Sequence, residues 1–122
     1  MGGTVLVEIK LKKTKSYVVM KLIGQFWEPK DVADFEKAFA DLASQNNRII
    51  VADMSRLSFI SSHGLGLLVK SYSQMLALNG HFILLGPKGS VRETIGIAGF
   101  IEFIKIANSA DELSELVKQL NS

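Results

Sequence analysis

The stretch Ser61-Ser62-His63-Gly64-Leu65-Gly66 gathers two hydroxyls, an imidazole and two glycines within six residues. The apolar run Ile49-Ile50-Val51-Ala52 precedes it and a helical apolar pattern follows it. Ser62 is therefore expected at a strand-to-helix junction, at or next to the helix N-cap, after a short loop that crosses the sheet edge. A serine there accepts a hydrogen bond from a free backbone N–H. The same position suits a phosphate, which would add about −1.5 to −2 charge at neutral pH. A helix N-terminus offers free N–H groups and the positive end of the macrodipole, so the domain itself tolerates that charge. The effect would fall on a partner docked over the serine, through repulsion and desolvation. A cap and a modified serine both fit the pattern. Gly64 and Gly66 either keep the helix start slim for a partner backbone or allow close packing of helix on sheet.

Other chemistries find little support. Ser62 and His63 are adjacent, and neighbours on a helix point in different directions, so they form no nucleophile–base pair. The Gly-x-Ser-x-Gly signature of esterases is absent around Ser62. His81 begins a strand after Gly80 and reads as a solvated turn residue. With two histidines and no clustered carboxylates, no catalytic residue and no metal site is expected. Gly64-Leu65-Gly66 lacks the third glycine of a dinucleotide fingerprint and no P-loop occurs, so no cofactor is expected. Gly86-Pro87-Lys88-Gly89-Ser90 precedes a helix and reads as a strand-to-helix turn. Lys10, Lys12, Lys13 and Lys15 cluster at a hairpin, where solvated lysines also discourage edge aggregation.

The elements that must hold Ser62 are legible as patterns. Val5, Val7, Ile9 and Leu11 alternate with Leu6, Glu8, Lys10 and Lys12, a period of two. After a polar turn at Lys13–Lys15, Tyr17 to Ile23 forms a second strand, ended by Gly24, and the short connection implies an antiparallel hairpin. Pro29 suits the first turn of a helix. Val32, Phe35, Phe39 and Leu42 recur at helical spacing until Asn46-Asn47 stops them. Residues 49–52 read as a strand covered on both faces. A helix follows from about Ser62 to Leu78, with Leu65, Leu68, Val69, Tyr72 and Met75 as its stripe and Asn79-Gly80 as its stop. Phe82–Leu85 and Phe103–Ile106 read as further strands. Ser90 with Glu93, and Ser109 with Glu112, have capping-box spacing and open the last two helices. The order is β-β-α-β-α-β-α-β-α, an α/β fold with a mixed, mostly parallel sheet.

The chain of 122 residues fits one domain spanning 1–122. Hydrophobic residues at 48% and charged residues at 21% argue against disorder. A formal net charge of +2 does not by itself point to nucleic acid. The absence of cysteine rules out a disulfide framework. The N-terminus lacks the pattern of a signal peptide, and no run is apolar enough to insert in a membrane, so a cytoplasmic protein is expected.

Residues 51–68 resemble the signature of the STAS domain, found in bacterial anti-sigma factor antagonists. Asp53-Met54-Ser55 matches its Asp-Leu-Ser element, and Phe59-Ile60-Ser61-Ser62-His63-Gly64-Leu65-Gly66 matches its apolar pair followed by Asp-Ser-Ser/Ala-Gly-Leu-Gly. The resemblance covers nearly the whole chain in element order. It implies that Ser62 is a phosphoacceptor and that the partner is an anti-sigma factor with serine kinase activity. A separate serine phosphatase would reset the switch, leaving this chain a substrate and binder, not an enzyme. The contact would be built on Ser61, Ser62, His63, Gly64 and Leu65. This sequence departs from the family pattern at Ser61, which replaces Asp, and at His63, which replaces a small residue. Trp27 stands where an acidic residue is common and is either a binding anchor or packing at a strand end. Related STAS domains also serve as unphosphorylated scaffolds or subunits in stress-sensing and lipid-transport assemblies, which is the second reading. A homodimer stays open on the sequence.

Overall fold

The computed structural model describes residues 7–26, 29–99 and 102–121. Its elements follow the expected order: β1 (Val7–Lys13), β2 (Val18–Phe26), α1 (Pro29–Ser44), β3 (Ile49–Ile60), α2 (Ser62–Ala77), β4 (His81–Leu85), α3 (Gly89–Ile97), β5 (Lys105–Ala107) and α4 (Ala110–Asn121). The strands form a five-stranded sheet in sequential order. β1 and β2 pair antiparallel, and β2 to β5 run parallel. A helix follows each parallel strand, so α1 to α4 all begin at the pole where those strands end.

β3 explains why its first half is apolar without interruption. Ile50 and Ala52 join the core shared with α1, α2 and α3, whereas Ile49 and Val51 join the smaller core beneath α4. Alternate side chains go to opposite faces, and both faces are covered. Four phenyl rings tie α1 to the larger core. Phe35 lies 5.7 Å from Phe26 and 6.1 Å from Phe39, and Phe39 meets Phe82 edge-on at 5.8 Å. These separations are typical of favourable aromatic pairs. No helix among the described residues is long and apolar enough to cross a membrane.

The boundaries differ from the sequence reading in instructive places. β3 does not end at Asp53: it pairs with β4 up to Asp53–Leu85 and continues along β2 alone to Ile60. β2 likewise runs past Gly24, whose φ of 107° lies in glycine territory, to Phe26. The expected short loop is thus a two-stranded ribbon. β5 starts at Lys105, because Phe103 leaves the strand and sets its ring 5.4 Å from Tyr72 of α2. At Ser109–Glu112 the serine half of the box forms, with the Glu112 N–H donating to Ser109 Oγ at 3.2 Å, while Glu112 Oε1 accepts from the Asn108 N–H at 2.8 Å. The Ser90–Glu93 box does not form, since α3 opens two residues earlier with Lys88 as N-cap. Ser90 Oγ instead donates to the Ser58 carbonyl at 3.3 Å.

His81 is not a solvated turn residue either. It is half-buried as the first residue of β4, and its N–H donates to the Arg48 carbonyl at 2.7 Å. Burial, then the charges of Lys105 and Arg48, hold its imidazole below the ordinary value of 6.5. The unfolded chain therefore binds the His81 proton more readily than the folded one. This stabilising contribution is complete above about pH 6.5, the value for unfolded histidine, and is lost as pH falls through the lowered folded value. Thermal melts between neutral and mildly acidic pH should show a shallower acid loss for His81→Gln than for the natural chain. Equal slopes would assign the acid sensitivity to other groups.

Candidate functional site

The ribbon formed by the ends of β2 and β3 delivers the serines to the pole where the helices begin. Asp53 Oδ1 accepts from the Ser55 N–H at 3.0 Å and from Ser55 Oγ at 2.7 Å, which shapes the chain where β4 departs. Gly86, at φ 65°, turns β4 away, and a Cβ there would stand 3.2 Å from the Ser55 Cβ. Ser58 Oγ donates to the Gly24 carbonyl at 3.0 Å and holds the ribbon together.

Ser61 is the N-cap of α2, with extended backbone at φ −85° and ψ 171°. Its Oγ accepts from the Gly64 N–H at 3.2 Å, its carbonyl accepts from the Leu65 N–H at 2.9 Å, and its own N–H donates to the Phe26 carbonyl at 2.9 Å. Ser62 is the first residue inside the helix and is exposed. The capping role therefore belongs to Ser61, and Ser62 keeps its hydroxyl for other use. The amides of the first turn have no acceptor within the helix and carry the positive end of the macrodipole. The starts of α1, α3 and α4 lie at the same pole, after the ends of β2, β4 and β5.

The other sequence candidates separate by burial. His63 is exposed beside Ser62, and Ser61 is half-buried. Gly64 and Leu65 are buried, and Leu65 belongs to the core under α2. Trp27 lies outside the described residues. The two glycines do different work. A Cβ on Gly64 would sit 2.8 Å from Ile60 Cγ1 and 3.4 Å from the Phe26 carbonyl oxygen, so the close approach of helix to ribbon requires glycine. A Cβ on Gly66 would meet nothing within 4 Å.

Gly66 instead opens onto a cleft of about 320 Å³ between α1 and α2, shared with His63, Leu67, Lys70, Val32 and Glu36. Lys70 and Glu36 span its rim at 3.0 Å. Phe59, at 43% exposure, adds an apolar ring three positions before Ser62. The sequence reading did not single out the cleft or Phe59. Val32 and Glu36 stand some thirty positions from His63 and Lys70, so no local spacing joins them. An aromatic residue at an outward position of a strand was the one available signal for Phe59.

A parallel sheet with an antiparallel leading strand, carrying a capped serine junction between β3 and α2, defines a STAS domain. The STAS domain family matches the chain over residues 8–113, and the chain belongs to it. A protein of Bordetella bronchiseptica described as a candidate anti-sigma factor antagonist, BtrV, is 34% identical over 89 residues, covering 70% of this chain and 77% of that protein. Among solved structures, the anti-sigma factor antagonist SpoIIAA in its unphosphorylated form superposes with a TM-score of 0.78 at 24% identity, covering 92% of this chain and 97% of that one. The Bacillus cell fate determinant SpoIIAA in its phosphorylated form gives 0.71 at 25% identity, covering 90% and 99%. An anti-sigma factor antagonist from Mycobacterium paratuberculosis gives 0.81 at 18% identity, covering 92% and 94%.

The site geometry sets the sign of three substitutions. Gly64→Ala should destabilise by about 1–3 kcal/mol, the usual cost of overpacking. Gly66→Ala should stabilise by about 0.5–1 kcal/mol, because alanine replaces glycine in open space on a helix. Ser61→Ala should cost about 1 kcal/mol by removing the cap. Urea denaturation of the three variants checks the order.

Proposed function

We propose that residues 1–122 act as one STAS domain that binds a regulatory protein through the start of α2 and is released by phosphorylation of Ser62. The partner in this reading is an anti-sigma factor with serine kinase activity, and a separate serine phosphatase reverses the mark. The chain is then a cytoplasmic anti-sigma factor antagonist that controls sigma-factor-dependent transcription by binding, with no catalytic step of its own. One observation carries the proposal: Ser62 is exposed at the first helical position while Ser61 alone satisfies the cap.

The physical consequence follows from that division of labour. Phosphate on Ser62 meets first-turn amides and a favourable dipole, so the fold accepts it. A partner lying over Ser62 and His63 meets new negative charge that must be desolvated, and losing one such contact costs about 2–5 kcal/mol. Moving an equilibrium fully from bound to free takes about 5.5 kcal/mol, so repulsion over a wider contact contributes the remainder. In this reading Ser62 and His63 meet the partner, Ser61 caps the helix behind them, Gly64 and Leu65 support the contact from beneath, and Trp27 is a binding anchor.

The test is a calorimetric titration against the partner kinase, with phosphate mapping after incubation with ATP. Ser62→Ala should retain affinity, and Ser62→Asp should weaken it at least tenfold, about 1.4 kcal/mol. Both should melt near the natural chain. Equal affinities, or no phosphate on Ser62, would remove the switch and leave a scaffold that binds without modification. In the same titration Trp27→Ala should lower affinity more than melting temperature, and the reverse result would make Trp27 a packing residue.

A further inference from the structure

β1 and β5 are the two outer strands of the sheet, and among the described residues no strand pairs with either outer edge. The edges carry opposite charge. On β1, Lys10 pairs with Lys21 of β2 and Lys12 pairs with Val19, which packs against the core beneath α4. Directly paired residues share a face of the sheet, so Lys10, Lys12 and Lys21 line its α4 side. Placing Lys10 directly opposite Lys21 is unfavourable by itself. Glu8 approaches Lys10 at 3.8 Å, an exposed contact of small worth. Asp53 of β3 stands opposite Lys21, so Lys10 and Lys12 at the outer strand are the less compensated part of this basic stripe.

The opposite edge is its complement. A groove of about 510 Å³ runs between β5 and α4, with Ile106, Ala107 and Leu116 as its apolar part. Asp111, Glu112 and Glu115 also line it, and they outnumber Lys105 of β5, which pairs with Ile83 and so lies on the same face. None of the ion pairs among the described residues uses these three carboxylates.

We propose that a second copy of this chain adds its β1 to the free edge of β5. In a copy of the same orientation β1 runs antiparallel to β5, as it does to β2. The alternation of its side chains then brings Lys10 and Lys12 out on the α4 side, over the acidic groove. Leu11, 53% exposed on the other face, gains apolar cover. The same lysines disfavour β1 against β1, so charge selects the unlike edge. The contact is head-to-tail: each copy keeps one basic and one acidic edge, and the assembly can grow. With only three residues in β5, each contact is weak and salt-sensitive. Ser62 sits at the strand ends, off both edges, so a row of copies displays a row of Ser62 sites. A multivalent partner would gain from that spacing.

Sedimentation velocity at low salt tests this without any partner. The natural chain should associate with rising concentration and dissociate in high salt. Lys10→Glu with Lys12→Glu should be monomeric, and so should Asp111→Lys with Glu115→Lys. Each of these keeps one intact edge, and the two reversed edges are complementary to each other, so mixing them should restore association. Circular dichroism checks that both fold, and Glu115→Lys alone replaces the second if it does not. A natural chain that stays monomeric to millimolar concentration, or a mixture that gives no two-chain species, overturns the proposal.

Discussion

The first turn of α2 lies so close to the ends of β2 and β3 that only glycine fits at position 64. The Ser61 N–H joins the Phe26 carbonyl, and a Cβ on Gly64 would press on Ile60 and on the same Phe26 carbonyl. Everything at the functional pole depends on this approach. It sets Ser61 as cap, turns Leu65 inward and leaves Ser62 and His63 outside. It also explains why β2 and β3 continue together after β4 has left: the pair forms a stiff arm that holds the junction against the core.

A hydroxyl on that arm is placed by backbone hydrogen bonds, not by a flexible loop. A rigid mount matters for a contact controlled by charge. If the serine could swing aside, a phosphate could retreat into solvent and the partner would feel little of it. In the proposed switch, a phosphate held on a first helical turn would stay where the partner's surface lies. The helix start would accept the charge and the docked neighbour would be expelled by it.

Glycine is present twice in the junction for unlike reasons. Gly64 serves the fold. A Cβ at Gly66 would meet nothing within 4 Å among the described residues, and glycine there carries the usual helix penalty. An exposed glycine beside a cleft between two helices is consistent with a surface shaped for another molecule, and it lies one turn from Ser62. The lysines of β1 form a second charged surface, where Lys10 and Lys21 face each other across a pair of strands with Glu8 and Asp53 as partial compensation.

Element order was legible in the sequence because the periods of two and of 3.6 residues are local properties. The residues of β3 that alternate between two cores, the stripe of Phe35, Phe39 and Leu42, and the capping box at Ser109 were all readable for that reason. So was a serine at a strand-to-helix junction. What the tertiary structure decided depends on pairs distant in the chain. Ser61 took the cap from Ser62 because Phe26, thirty-five positions away, fixes its N–H. The expected loop became a ribbon because β2 stayed beside β3. Ser90 lost its capping box to a bond with Ser58, and His81, at the start of β4, is drawn partly out of solvent beside Ile49. Local pattern chooses the element, whereas the neighbour that competes for a donor or closes a gap is known only once the chain has folded.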